Sequence, residues 1–281
     1  MSTYYNNKMI CPYSLSSIFL EVKTFNKCNP METIAISTGT GFLYHHKKTT
    51  FLVSNWHIFS GKEFDGEYKT ELKDPNGAIP ELFTLHGTKP NNSYDIRIVN
   101  DDLAPLWIKH PQKQVDIAAI PLSNNDIAKI RQLEIYPINE LPSQEDMFIE
   151  IASDVFISGY PYGKKANTAP GFFPIFKRGS VASEPEFEFY NGRKCFIVDS
   201  TTRKGMSGSP VIQISQDGYT TKDGSICMDC TTHYKFLGIY SGRVKEDSNQ
   251  ESSLGIVWDK SLIQEILASF DRTAQSFHES S

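Results

Sequence analysis

Three segments of this chain carry side chains whose type and setting suit nucleophilic acyl transfer. In TTRKGMSGSPVI, residues 201–212, Ser207 stands on a glycine-rich turn between Gly205 and Gly208, just ahead of a β-type run. A glycine at 205 lets the backbone come close to a ligand, so that its N–H and that of Ser207 can point at one oxygen and stabilise a tetrahedral oxyanion. In LVSNWHIFSG, residues 52–61, a β-type run ends and His57 follows at the start of a short helical turn. That setting holds an imidazole rigidly, as a general base requires. In QVDIAAIPL, residues 114–122, Asp116 precedes an apolar strand. A carboxylate buried there needs a partner, and a histidine N–H is one that also fixes the tautomer of the base. Each segment has a plainer reading: a Gly-Ser loop entering a strand, a histidine satisfied at a strand end, an aspartate capping a turn. Asp101 and Asp102 compete for the carboxylate role but share a doubly charged turn that reads as solvated.

The elements that must position these residues are mostly strands. Runs rich in β-branched and aromatic residues occur at 34–46, 49–54, 94–99, 115–122, 154–160, 194–200, 209–215, 234–242 and 253–258. Asn191-Gly192 signals a tight hairpin. Residues 60–93 read as a long polar excursion, and residues 123–150 interrupt the strand pattern with Pro137 and Pro142. Helical spacing is clear only in DKSLIQEILASF, residues 259–270, where Leu262, Ile263, Ile266, Leu267 and Phe270 share a face and Asp259 or Ser261 suits the N-cap. Strands at this density with one terminal helix predict an all-β fold of closed or nearly closed barrels.

The order His57, Asp116, Ser207, together with the blocks TGTGFLY, VSNWHIF, VDIAAIPL, ISGYPYG and GMSGSPV, resembles the trypsin/chymotrypsin-like serine protease superfamily. Among its branches the intracellular bacterial, HtrA-like one is nearest, here with no PDZ-like domain after the catalytic region. The resemblance covers roughly residues 34–258. It implies two six-stranded-type β-barrels with a cleft between them, and a serine endopeptidase that works through an acyl-enzyme. The domain pattern it implies is an N-terminal barrel over 1–125 with His57 and Asp116, a connection over 126–152 and a second barrel over 153–258 with Ser207. A helix over 259–272 and a disordered tail over 273–281 follow. By the same resemblance Gly205 and Ser207 form the oxyanion hole, Ser241 lies beside the triad, and Gly242 and Arg243 flank the primary specificity pocket. Thr201, six residues before Ser207, falls at the base of that pocket. Thr201 is not an acid, so a simple Arg/Lys preference is not expected, and Arg243 is the residue that would favour acidic side chains.

Met206 occupies the position of the acid that pairs with a freed N-terminus in trypsin zymogens, so activation by that ion pair is not available. The Gly205–Ser207 loop must then be ordered by its own packing, by substrate, or by an activating partner protein. An α/β-hydrolase fits poorly, because its nucleophile motif is Gly-x-Ser-x-Gly and its acid and histidine follow the serine. A catalytically silent protease fold used for binding or regulation is the non-enzymatic alternative.

The 281 residues carry a net charge of −5, with no basic run to suggest nucleic acid. No apolar stretch reaches the roughly 18–20 residues that span a bilayer. Five cysteines and no recognisable signal segment point to a cytoplasmic protein with reduced thiols. Cys227, Cys230 and His233 supply at most three zinc ligands, so neither metal nor other cofactor is expected. The partners expected are a protein or peptide substrate and an activating protein.

Overall fold

A computed structural model describes residues 3–5, 8–88, 92–163, 172–188, 192–244 and 253–279. After a short hairpin of β1 (Thr3–Tyr5) and β2 (Lys8–Ile10), the chain builds two β bodies in succession and ends in a helix.

The first body is a seven-stranded antiparallel sheet. Its strands are β3 (Ser17–Asn26), β4 (Asn29–His46), β5 (Thr49–Ser54), β8 (Leu82–His86), β9 (Ser93–Arg97), β10 (Ile108–Lys109) and β11 (Ala118–Pro121). They are ordered β10-β11-β5-β4-β3-β8-β9. The sheet curls until its ends nearly meet: Leu106 N–H donates to the carbonyl of Ile98 at 3.0 Å, and Val99 bridges Pro105. Ile18, Leu20, Leu52, Phe83, Leu85 and Ile120 fill it from several strands at once. Between β5 and β8 lie the helical turn α1 (Trp56–Ser60) and a hairpin of β6 (Lys62–Phe64) and β7 (Tyr68–Leu72). The stretch 60–93 is therefore not one polar excursion. Leu82, Phe83 and Leu85 are buried because β3 and β9 flank them.

The second body is a closed six-stranded barrel. It consists of β12 (Asp154–Gly159), β13 (Ile175–Val181), β14 (Cys195–Asp199), β15 (Pro210–Thr220), β16 (Ile226–Arg243) and β17 (Leu254–Asp259). Val155, Ile157, Val198, Val211, Tyr240 and Val257 pack inside it. The predicted turn residue Asn191 lies outside the described residues.

The connecting segment opens with α2 (Asn124–Arg131), closed at its start by a reciprocal capping box between Ser123 and Asp126. Ile130, Leu133 and Ile135 sink into the first body, so the connection expected over 126–152 begins as part of that core. The final helix α3 (Ser261–Glu279) starts where Asp259 accepts the Ser261 N–H at 2.8 Å. It continues past Arg272, where a tail was expected, since neither proline nor glycine interrupts the sequence there. Its buried Leu262, Ile263, Ile266 and Leu267 join Phe42 and Val53 of the first body to Ile212, Phe236 and Trp258 of the second. That third apolar cluster fixes the two bodies against each other. The observed class is all-β with two bodies and a C-terminal helix, as expected.

Candidate active site

His57 and Asp116 are brought together by the first body. Asn55 follows β5 as the N-cap of α1, and the chain leaves α1 through Gly61, whose positive φ lets its N–H return to the carbonyl of His57. His57 thus sits on one helical turn anchored by the buried Trp56, which stacks on Tyr68 at 4.2 Å. Asp116 lies two residues before β11, between the fully buried Val115 and Ile117.

The Asp116 carboxylate has no solvent access, and the protein supplies its partners. Oδ2 accepts from His57 Nδ1 at 2.6 Å and from the Ser241 hydroxyl at 2.6 Å, while Oδ1 accepts the His57 backbone N–H at 3.0 Å. Three donors on one buried carboxylate offset the cost of keeping it charged. Because a carboxylate only accepts, His57 carries its proton on Nδ1 and presents an open lone pair at Nε2. Asn55 donates its side-chain amide to the Asp116 carbonyl at 2.8 Å, a support that the sequence signalled only by its position next to Trp56-His57.

Ser207 comes from the second body, on the turn entering β15. Its glycines are required by space. Gly208 has φ +85°, and a Cβ there would lie 1.9 Å from the Thr40 carbonyl oxygen; Gly205 has φ +93°, and a Cβ would meet the Tyr160 carbonyl at 2.4 Å. Three hydrogen bonds hold the turn: Thr40 Oγ1–H to the Gly205 carbonyl at 2.8 Å, Thr40 N–H to the Ser207 carbonyl at 2.9 Å and Gly208 N–H to the Tyr240 carbonyl at 2.9 Å. Met206 is fully buried in the core of the second body. Among the described residues no backbone carbonyl takes the N–H of Gly205 or Ser207.

His57, Asp116, Ser207, Ser241, Gly242 and Arg243 all line one cavity of about 200 Å³ between the bodies. A second, of about 480 Å³, also reaches His57 and Ser207 and is bounded by Gly205, Lys204 and β4 residues 36–38. The Ser207 hydroxyl donates to the Ser241 carbonyl at 3.0 Å rather than to His57. Thr201 is not brought to the site. It is exposed, and the next residue, Thr202, turns inward with its hydroxyl bonded to that of Tyr240. A shift of one residue along an extended chain exchanges the inward and outward faces. Thr40, the third residue of the TGTGFLY block, joins both bodies at the turn; its chemistry is that of any strand threonine, so nothing in its type marked it.

An imidazole with one nitrogen tied to a buried carboxylate, a hydroxyl in the same cleft and two open N–H groups beside it can together deprotonate an alcohol and stabilise an oxyanion. The family model of the trypsin-like peptidase domain matches residues 39–219, which include all of these groups. The chain belongs to that family. As a trypsin-like peptidase it is similar in structure to the Rv3671c protease of M. tuberculosis. The active form matches with 14% identity and a TM-score of 0.48, covering 91% of this chain and 80% of that one. An inactive form matches with 14% identity and a TM-score of 0.46, covering 91% and 89%. No curated protein sequence matches the chain.

The cysteines stand apart from this cleft. Cys227 and Cys230 are exposed on β16, where a separation of three places them on opposite faces of the strand. His233 Nε2 is engaged by Asp229 at 2.8 Å.

Proposed function

We propose that this trypsin-like peptidase is a serine endopeptidase in which Ser207 is the nucleophile, His57 the general base and Asp116 the group that orients it. The observation that carries the reading is the 2.6 Å contact from His57 Nδ1 to a buried, fully hydrogen-bonded Asp116, with Ser207 lining the same cavity.

A peptide carbonyl bound with its oxygen toward the N–H groups of Gly205 and Ser207 presents its carbon to the Ser207 oxygen. The hydroxyl swings from the Ser241 carbonyl toward His57, whose Nε2 takes the proton as the oxygen attacks. Asp116 stays ionised and stabilises the imidazolium. Collapse of the tetrahedral intermediate breaks the C–N bond, and the amine leaves with the proton from His57. Water then enters, His57 takes one of its protons, and a second tetrahedral intermediate releases the acid and restores Ser207.

The test is labelling by a fluorophosphonate. The full chain should label at Ser207, and Ser207→Ala should abolish labelling while melting at the same temperature. Labelling that persists in Ser207→Ala would identify another nucleophile. A catalytically silent binding module is the second reading, and the specific observation in its favour is the hydroxyl's turn toward Ser241. An unlabelled wild type would decide for it. We place the protein in the cytoplasm; all five cysteines are free thiols, which supports a reducing compartment.

A further inference from the structure

Free space around Ser207 is lopsided. The smaller cavity runs from the Ser241–Arg243 strand past His57 to the β6 hairpin, where Glu63 to Gly66 bound it. The larger opens toward Ile36 to Thr38 and Lys204. Neither is lined by Thr201, Thr202, Tyr240 or Gly255. Yet Thr202, Tyr240 and Gly255 lie on the Ser241 side of Ser207, joined to it through Ser241 and Arg243. A substrate bound with its carbonyl oxygen at the Gly205 and Ser207 N–H groups would direct the side chain of its acyl half (P1) between the 200–203 turn and the Ser241–Arg243 strand.

Those two walls are tied to each other. Arg243 Nη2 donates to the Thr202 carbonyl at 2.7 Å, and Arg203 Nη1 donates to the same oxygen at 3.1 Å. Behind them the Tyr240 and Thr202 hydroxyls are hydrogen-bonded, and both residues are almost fully buried, at 2% and 1% exposure. Gly255 of β17 would leave the third wall bare, but the Tyr240 ring already covers it: a Cβ at Gly255 would stand 2.4 Å from Tyr240 Cε2. A recess filled at its base and bridged at its mouth has no room for a long side chain without breaking a charge-assisted hydrogen bond and displacing a packed tyrosine.

We propose that Arg243 and Tyr240 close the P1 recess, so that this peptidase cleaves after small residues such as alanine, serine or glycine. The inference rests on the serine peptidase reading above. It differs from the sequence expectation, in which Arg243 would attract acidic side chains. Arg243 is already engaged by Thr202, so a carboxylate would have to break that bond to reach it.

The test uses peptidyl diphenyl phosphonates that differ only at P1, with alanine, serine, phenylalanine, lysine or glutamate side chains, beside a fluorophosphonate with no P1 side chain. On the full chain the alanine and serine reagents should label Ser207 at least about tenfold faster than the other three. Arg243→Gly should raise the phenylalanine-to-alanine rate ratio at least about tenfold. A wild-type rate for phenylalanine, lysine or glutamate that equals or exceeds that for alanine would overturn the inference alone. So would an unchanged ratio in Arg243→Gly. Failure of the fluorophosphonate to label wild type would instead overturn the serine peptidase reading, and this inference with it.

Discussion

At the residue scale, the site depends on how a buried carboxylate is satisfied. Asp116 holds three donors, two of them from His57 and one from Ser241. The two donors on Oδ2 contribute differently. The His57 Nδ1–H bond sets the tautomer, whereas Ser241 lowers the energy of the charge. Asp116→Asn presents an amide in place of an acceptor and favours the wrong tautomer, so kcat should fall by about 10⁴-fold, as such changes do in triads of this kind. Ser241→Ala leaves the tautomer intact and removes one charge-assisted bond of about 1.5–3 kcal/mol, so the loss in kcat should be about 10- to 100-fold. Steady-state kinetics on the two variants, with melting curves to verify folding, separate these roles. Equal losses would mean that Ser241 also sets the ring orientation.

At the element scale, the turn before β15 is ordered by packing. Met206 points into the second barrel, with no solvent access, beside Val155, Val211 and Val257. An apolar anchor here replaces the buried ion pair that a freed N-terminus makes in trypsin zymogens. It needs no cleavage to form. Met206→Ala should therefore cost about 2–5 kcal/mol in urea unfolding. Fluorophosphonate labelling should slow as well, because the Gly205 and Ser207 N–H groups lose their support. Unfolding at the wild-type urea midpoint would show that the loop is held by Thr40 and the glycines alone. The strands that escaped the sequence reading share a feature. In β13 only Ile175, Phe176 and Val181 are apolar, and β3 and β8 lie among polar neighbours. β13 stays largely half-buried, while the burial of β3 and β8 is completed by the strands beside them, which local pattern does not encode.

At the scale of the whole molecule, α3 and the cluster beneath it hold the two bodies in the register that the cleft requires. Phe270 meets Phe51 edge-on at 5.3 Å, and Glu265 reaches Lys194 at 3.1 Å. Beside that pair lies His110, fully buried, with Nδ1 accepting the Gln112 N–H and Nε2 3.5 Å from Glu265. Burial lowers the His110 pKa from its ordinary 6.5, and the Glu265 carboxylate only partly opposes this. The folded protein then binds fewer protons at His110 than the unfolded chain does. Stability from this group is complete above the unfolded value and declines as pH falls through the depressed one. The melting temperature should drop from pH 7.5 toward 5.5, and His110→Gln should flatten that part of the curve. A melting temperature that rises on acidification would mean that the Glu265 pairing outweighs burial.

What was legible in the sequence by itself is the set of candidate side chains and their order. His57 at a strand end, Asp116 before an apolar strand and Ser207 between close-approach glycines are local signals, because each depends on neighbours one to three residues away. The strand-rich class and the core face of α3 were legible for the same reason, since alternation and 3.6-residue spacing are properties of short segments. Only the tertiary structure decided what lies far apart along the chain: Thr40 beneath the Ser207 turn, Ser241 on Asp116, and Ile130 and Leu133 buried in the first body. Thr201 shows the limit most sharply. Counting six residues back from Ser207 named a position, but which of two adjacent threonines faces inward depends on the hydroxyl of Tyr240, and that partner comes from a strand 38 residues further along.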